Sequence, residues 1–137
     1  MRILKRKMIK SHLYHASINA SDPDFYKDLL TYLGFKTIVE YPRGFGMGDG
    51  TVSLWVFKMK DKYKDVKFHR KATGLNHLAF RVSSKKEVDQ FHKEYLLANR
   101  IPILYTGPKE YPQYEHGYYA VYFEDPDRIK LEVVYKP

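Results

Sequence analysis

The stretch "GLNHLAFRVSS", residues 74–84, places an imidazole at the start of an otherwise apolar, alternating segment. The two phases of the alternation are Leu78, Phe80 and Val82 on one side and His77, Ala79 and Arg81 on the other. A period of two residues predicts a β-strand with one face on a packed layer and the other face toward polar surroundings. His77 therefore lies on the face of the strand opposite to the large apolar side chains.

The same pattern occurs in the first half of the chain. "YHASINAS", residues 14–21, places His15 ahead of Ser21 at the offset that separates His77 from Ser83. A helical pattern follows each strand, over residues 21–35 and 84–99, and further strand patterns follow each helix, two or three in the first half and three in the second. Self-similarity of this kind indicates a structural repeat. The sequence thus predicts two βαβββ modules.

The size of the chain favours one shared core for the two modules. It has 137 residues, of which 44% are hydrophobic. Each half alone has about 60 residues, a marginal size for independent folding. We expect one compact domain with four segments: a basic N-terminal tail (1–11), the first module (12–57), a charged linker (58–73) and the second module (74–137).

The net charge of +8 lies outside the predicted modules. Residues 1–10 hold five basic and no acidic residues, and residues 58–71 hold seven basic against two acidic ones, so the remainder is slightly acidic. Because the positive charge lies in a tail and a linker while the modules are close to neutral, we interpret it as a solvated surface and expect no nucleic-acid partner. The chain has no cysteine, which excludes disulfides and thiol nucleophiles. No apolar run approaches the roughly 20 residues that span a bilayer, and we expect a cytoplasmic protein.

Several phrases of the sequence resemble one known family in their order along the chain. They are "HASINASD" from His15, "FYKDLLTYLGF" from Phe25, "HLAFRV" from His77, "VDQFHKEYLLA" from Val88, "GYYAVYFEDPD" from Gly117 and "KLEVV" from Lys130. Together they resemble the glyoxalase, bleomycin-resistance and extradiol-dioxygenase superfamily, also called the vicinal oxygen chelate family, over residues 12–136. The resemblance implies an α+β fold in which two βαβββ modules form a half-open barrel of about eight strands, with the helices outside.

The resemblance also implies a metal site. The family's ligand positions fall on His15 in the first strand, His77 in the fifth and Glu132 in the last. The alternation supports this assignment, because all three residues occupy the phase opposite to the aliphatic one, and Glu132 lies between Leu131 and Val133. Two imidazoles and one carboxylate with open positions suit Fe(II), Mn(II), Zn(II) or Ni(II).

The sequence departs from the family pattern at two places. Metal-binding isomerases of the family usually have a fourth ligand, often a Glu that is also the base, on the strand that ends the first module. The inward positions of that strand here are Ser53 and Trp55, which supply neither a carboxylate nor an imidazole. In "DPDR", relatives typically have Gly where Arg128 stands, so we expect a left-handed conformation at Arg128, at a cost of roughly 1–2 kcal/mol.

The resulting functional hypothesis is a divalent-metal-dependent enzyme, either a lyase or isomerase or a dioxygenase, that chelates vicinal oxygens of a small and plausibly aromatic substrate. The missing fourth ligand favours the dioxygenase-like site over a strict glyoxalase. Candidate catalytic residues are His116 and Tyr118, and candidate substrate-binding residues are Trp55, Tyr114, Tyr122 and Arg81. The alternative is a metal-free small-molecule binding protein of the bleomycin-resistance type. The family resemblance further implies a homodimer.

Overall fold

The computed structural model describes residues 7–137, so residues 1–6 of the predicted basic tail lie outside the described residues. Residues 7–14 are exposed and belong to no helix or strand. The chain divides into two compact units, with the boundary between Met59 and Lys60. This boundary falls near the start of the predicted linker. Each unit contains one of the two predicted modules.

The first unit is a four-stranded mixed sheet with one helix. Its elements are β1 (His15–Ala20), α1 (Pro23–Tyr32), β2 (Lys36–Tyr41), β3 (Gly44–Gly48) and β4 (Ser53–Lys58). The strand order is β1-β4-β3-β2. β1 runs parallel to β4, and the other neighbours are antiparallel. The predicted order of strand, helix and three strands is confirmed.

Helix α1 packs on this sheet through a narrow apolar stripe. Tyr26, Leu29 and Leu30 are fully buried. The apolar spacing of Phe25, Leu29 and Leu30 predicts that Phe25 begins this stripe, but Phe25 is only half-buried. Tyr26 takes that place because residues at i, i+3 and i+4 lie on one helix face. The helix is followed by Gly34 at φ +90°, the left-handed position expected there.

The second unit repeats this architecture. After a 3₁₀ turn at Asp61–Tyr63 come β5 (Leu78–Arg81), α2 (Lys85–Phe91), a π-helical continuation at His92–Leu97, β6 (Ile103–Glu110), β7 (Tyr119–Glu124) and β8 (Lys130–Tyr135). The strand order is β5-β8-β7-β6, with β5 parallel to β8. The predicted α+β class with two βαβββ modules is therefore confirmed.

Helix α2 begins after the N-cap residue Ser84, three residues before Glu87. The backbone N–H of Glu87 donates to the hydroxyl of Ser84 at 3.1 Å, and the Glu87 carboxylate accepts from the backbone N–H of Ser83 at 3.2 Å. Val88 and Phe91 on this helix are buried, and the Phe91 ring lies 5.3 Å from that of Phe123 in β7. The helix thus covers one face of the second sheet and leaves the other face to the polar phase of the strands.

Strand β6 is longer than the sequence suggested. The stretch from Thr106 to Gly117 has the composition of a turn-rich loop, yet the strand runs on to Glu110. The turn-forming residues produce an irregularity inside the strand, because the register with β7 shifts between Leu104 and Lys109. Within that segment Tyr105 has φ +63° and Gly107 has φ +91°.

The "DPDR" turn between β7 and β8 adopts the expected conformation. Arg128 has φ +66°, as predicted. The Asp125 carboxylate accepts hydrogen bonds from the backbone N–H groups of Asp127, at 2.8 Å, and Ile129, at 2.7 Å. These bonds hold the turn that leads directly into β8. In residues 7–137, no helix is both long and apolar enough to cross a membrane.

Candidate functional site

The side chains of His77 and Glu132 meet on the second sheet. β5 and β8 are parallel neighbours, with Ala79 opposite Glu132, and His77 immediately precedes β5 on the same phase as Ala79. His77 Nε2 lies 3.1 Å from Glu132 Oε1. The Glu132 side chain is 1% exposed and that of His77 is 33% exposed. The pair is thus a buried carboxylate reached by a partly accessible imidazole.

Two tyrosines surround the carboxylate. The Tyr118 hydroxyl donates a hydrogen bond to Glu132 Oε2. Tyr122 lies opposite Glu132 in the β7–β8 register and is itself buried. Burial raises the pKa of Tyr118, and its hydrogen bond to Glu132 raises it further. Burial and the nearby Glu132 charge likewise raise the pKa of Tyr122. Both phenols therefore remain protonated and can donate at neutral pH.

Asn76 engages the other nitrogen of the His77 ring. Asn76 Oδ1 lies 2.6 Å from His77 Nδ1. When Nδ1–H donates to this oxygen in the neutral ring, the lone pair of Nε2 points at the Glu132 carboxylate. An unprotonated Nε2 and a carboxylate oxygen 3.1 Å apart repel each other, whereas a proton on Nε2 or a cation bound to both atoms makes the contact favourable. The arrangement therefore fits a cation held by Nε2 and the carboxylate.

These residues suit a divalent metal ion by their chemistry. A neutral imidazole nitrogen and a carboxylate oxygen are ligands shared by Fe, Mn, Zn and Ni sites. Metal-ligating histidines usually donate their second ring N–H to an oxygen, and Asn76 Oδ1 is placed to accept it from His77. Ligating carboxylates are usually hydrogen-bonded, as Glu132 is to the Tyr118 hydroxyl. Among the described residues of either unit alone, no three His, Cys, Asp or Glu side chains form a metal-binding group. The second unit therefore brings together two of the three predicted ligands, His77 and Glu132.

The third predicted ligand, His15, lies in the first unit. It begins β1, is exposed, and pairs with Ser53 of β4. Its ring centroid is 5.0 Å from that of Tyr14 and 5.9 Å from that of Trp55. The polar phase of β4 carries Ser53 and Trp55, and the indole N–H donates to the Ser53 hydroxyl at 3.1 Å. As the sequence indicates, this strand has no carboxylate or imidazole between Ser53 and Lys58.

A glycine track shapes the same face of the first unit. Gly44, Gly46 and Gly48 alternate along β3, and a Cβ on Gly46 would lie 2.8 Å from the Trp55 indole. The bare backbone lets the indole lie directly on the strand. Tyr41 on β2 stacks against it, with 6.3 Å between centroids and 29° between planes. Predicted substrate-binding Trp55 thus belongs to a flat aromatic surface.

The remaining predicted residues occupy different surroundings. Tyr114 is 61% exposed, and its ring stacks on Tyr111 at 5.5 Å and meets Tyr118 edge-on at 5.5 Å. Arg81 is exposed and donates to the Lys136 carbonyl at 3.0 Å. His116 is exposed in the turn before β7. Of the predicted residues, Tyr118 donates a hydrogen bond to Glu132 and Tyr122 lies opposite Glu132 in the strand register, whereas His116 lies in an exposed turn.

Sequence reasoning missed four residues that surround this group: Asn76, Tyr105, Tyr111 and Lys130. Lys130 could have been found, because it shares the phase of Glu132 on β8. Asn76 could have been found as the neighbour of His77. Tyr105 could not, since its position depends on the irregularity inside β6, which the turn-like composition concealed.

The family model described as the Glyoxalase/Bleomycin resistance protein/Dioxygenase superfamily matches residues 12–133. The chain belongs to this superfamily. The Bacillus subtilis (strain 168) protein YqjT, itself uncharacterized, is 34% identical over 126 residues, which are 89% of this chain and 97% of YqjT. Members of the superfamily bind small molecules and are often dimeric.

Solved structures of the superfamily agree with this assignment. A Bacillus halodurans protein, provisionally assigned as a glyoxalase, is 34% identical with a TM-score of 0.77, covering 90% of this chain and 95% of its own. The lactoylglutathione lyase of Agrobacterium tumefaciens is 24% identical with a TM-score of 0.63, covering 92% of this chain and 94% of its own. The second likeness concerns the fold alone.

Proposed function

We propose that this protein is a divalent-metal-dependent enzyme that acts on a small substrate through two neighbouring oxygens. His77 and Glu132 are two of its metal ligands, and His15 is the third, as the family resemblance implies. The observation that carries the proposal is the 3.1 Å approach of His77 Nε2 to the fully buried Glu132 carboxylate. A buried carboxylate with no lysine or arginine bonded to it among the described residues is costly unless a cation compensates it.

The residues around the pair prepare it for a metal. Tyr118 fixes Oε2 of Glu132 and leaves Oε1 facing His77. Asn76 holds His77 Nδ1 and so directs Nε2 at the same point. A bound Fe, Mn, Zn or Ni ion would supply Lewis-acid stabilisation of charge on the substrate oxygens, or dioxygen activation in the case of Fe(II). Tyr122 covers the carboxylate and limits the access of bulk water.

The reaction type follows from which side chains can move a proton. The polar phase of β4 offers only Ser53 and Trp55, so the protein base of a glyoxalase-type isomerase has no counterpart there. Tyr118, with its raised pKa, is a hydrogen-bond donor rather than a base. We also propose His116, the other predicted catalytic residue, as an acid–base group; it lies in an exposed turn. We therefore favour dioxygenase chemistry with three protein ligands over lyase or isomerase chemistry.

A metal-free binding protein is the second candidate. It is favoured by one observation: both oxygens of Glu132 already have partners, Tyr118 at Oε2 and His77 at Oε1, without a metal. In this reading Nε2–H of His77 donates to Glu132, and the aromatic surface at Trp55 and Tyr41 binds a planar ligand. The two candidates differ in metal content.

Elemental analysis of the purified protein tests the proposal. We expect about one Fe, Mn, Zn or Ni per chain in the wild type and less than a tenth of that in His15→Ala, His77→Ala and Glu132→Ala, each still folded by circular dichroism. His69→Ala, which removes an exposed imidazole from the predicted linker, is the matched control and retains the metal. Equal metal in all variants would overturn the ligand assignment, and no metal in the wild type would favour the second candidate.

The proposal includes a cytoplasmic homodimer, as in many members of the superfamily. Light scattering coupled to size-exclusion chromatography tests the oligomeric state. The expected mass is twice the 16.3 kDa of one chain.

A further inference from the structure

Lys130 carries a positive charge beside the His77–Glu132 pair without an acidic partner. Its ammonium donates to the Tyr105 hydroxyl at 3.0 Å and lies 4.6 Å from the centre of the Tyr122 ring. No carboxylate among the described residues forms an ion pair with it. Glu124 lies opposite Lys130 in the strand register, but its carboxylate binds Arg70 at 2.7 Å and Arg128 at 3.3 Å.

The position of Lys130 relates it to the proposed metal ligand. Lys130 and Glu132 are two residues apart on β8, so they share one face of the sheet, with Cα atoms about 7 Å apart. The ring of Tyr122 contacts both the Lys130 ammonium and, edge-on, the His77 imidazole, whose centroid is 6.2 Å away. One small molecule can therefore reach both Lys130 and the His77–Glu132 pair.

The hydroxyl that binds Lys130 belongs to a strained residue. Tyr105 has φ +63°, a left-handed conformation that is strained for a residue other than glycine. In this conformation the Tyr105 ring lies against that of Tyr122, with centroids 5.5 Å apart, and the Tyr105 hydroxyl accepts from the Lys130 ammonium. One hydroxyl and two aromatic faces thus hold the Lys130 ammonium, while two of its three N–H donors have no partner among residues 7–137.

A further donor beside Tyr122 has no partner. The hydroxyl of Tyr111 is buried and lacks a hydrogen bond to any described residue. Its ring centroid lies 5.4 Å from that of Tyr122. The cluster of Tyr105, Tyr111, Tyr122 and Lys130 therefore has spare donors, and every one of them suits an acceptor oxygen.

We propose that Lys130 binds a carboxylate of the substrate, so that the substrate is an acid whose charged group lies next to its metal-chelating oxygens. This inference rests on the proposed function for the location of those oxygens. A divalent ion beside one carboxylate and one ammonium leaves an excess of positive charge, which a neutral substrate does not balance and an anionic one does. The tyrosine rings around Lys130 fit an aromatic or otherwise planar acid.

Binding of two matched probes tests the inference. Salicylate has a phenol oxygen next to a carboxylate, and salicylamide has the same shape without the charge. By titration calorimetry on the Mn²⁺-loaded protein, we expect salicylate to bind about tenfold more tightly than salicylamide, as a charge-assisted hydrogen bond implies. Lys130→Gln should remove most of this preference, and Lys130→Arg should retain it.

Lys85→Gln is the matched control, because Lys85 also lies over a tyrosine ring, that of Tyr119 at 5.6 Å, but already pairs with Glu110. It should leave the preference unchanged. The inference is overturned if salicylate and salicylamide bind equally, if neither binds, or if Lys130→Gln leaves the preference intact.

The metal titration separates this inference from the proposed function. Mn²⁺ affinity should be at least as high in Lys130→Gln as in the wild type, because the substitution removes a positive charge near the ion. If the wild type binds no metal but retains a salicylate preference that Lys130→Gln removes, the inference stands and the metal proposal fails. If metal binds and the preference is independent of Lys130, only the inference fails.

Discussion

His77 Nε2 lies 3.1 Å from Glu132 Oε1, although 55 residues separate the two side chains in the sequence. The parallel pairing of β5 with β8 produces this contact, since it places the start of one strand beside the polar phase of the other. Tyr118 and Asn76 then restrain the carboxylate and the imidazole from their far sides. This is the local geometry from which the functional proposal is built.

Tyr118→Phe should destabilise the metal-free protein by about 1–3 kcal/mol, because a buried carboxylate loses a hydrogen-bond donor. In a Glu132→Gln background the same substitution should cost less than about 1 kcal/mol, since the neutral amide needs the donor less. Urea denaturation of the four proteins gives the coupling energy. A Tyr118→Phe cost that is the same in both backgrounds would contradict the role given to this hydroxyl.

The fold was largely predictable, because the same order of strand and helix patterns occurs twice in the sequence. The repeated order of strand and helix patterns, the serine at position 84 and the glycine at position 34 are local signals, and the structure has two matching modules, a helix cap at Ser84 and a positive φ at Gly34. The extent of β6 was not predictable, because Thr106, Gly107 and Pro108 have the composition of a turn while forming an irregularity inside a strand.

The candidate site was predictable only in part. Alternation assigns Glu132 to the polar phase of β8, but it does not show that Tyr118 binds the carboxylate or that Asn76 binds the imidazole. These contacts depend on cross-strand register and on turn geometry, which side-chain periodicity does not encode. The same holds for Lys130, whose lack of an acidic partner follows from the competing bonds that Arg70 and Arg128 make to Glu124.

Alkaline pH should destabilise the protein through its buried phenols. Burial and Asp89 raise the pKa of Tyr119 to about 12, and the pKa values of Tyr118 and Tyr122 are also raised. A group whose pKa is higher in the folded state contributes stability below its unfolded pKa, about 10 for tyrosine, and this contribution is lost as the pH rises through the folded pKa.

Unfolding free energies at pH 9, 10 and 11 should therefore decrease, and absorbance at 295 nm should show a class of phenols that ionises only on unfolding. The control is Tyr63→Phe, which removes a phenol that is 53% exposed and should leave the class of buried phenols unchanged. If all 13 tyrosines ionised in one step near pH 10 while the protein stayed folded, the assignment of buried neutral phenols would be wrong.

Tyr111→Phe should stabilise the ligand-free protein, by about 1 kcal/mol, because it removes a buried hydroxyl that has no hydrogen-bond partner among the described residues. Tyr114→Phe, on the exposed ring stacked against Tyr111, is the matched control and should change stability by less than about 0.5 kcal/mol. Thermal denaturation measures both. A marked loss of stability in Tyr111→Phe would show that this hydroxyl has a partner after all.

Gly46→Ala should displace the Trp55 indole, since the new methyl group would lie 2.8 Å from its ring. The expected cost is about 1–3 kcal/mol of unfolding free energy, typical of overpacking. Because Trp55 is the chain's single tryptophan, its fluorescence maximum reports the displacement directly. Gly48→Ala is the control for the fluorescence maximum, because its methyl group would meet Ile38 Cδ1 at 3.0 Å and the Val52 carbonyl at 3.2 Å but not the indole. Equal spectra for wild type and Gly46→Ala would contradict the glycine track as the reason for the indole position.

The most direct test of the metal proposal is a calorimetric titration of Mn²⁺ into chelator-treated wild type, His77→Gln and Glu132→Gln. We predict one ion per chain in the wild type and an affinity at least about 100-fold lower in each variant, since each loses one ligand of the pair. Thermal denaturation run in parallel should show metal-free Glu132→Gln to be as stable as the metal-free wild type or more so, because the amide is an isostere of the carboxylate and buries no charge. Wild-type protein that binds no Mn²⁺, or variants that bind it as tightly as the wild type, would contradict the account.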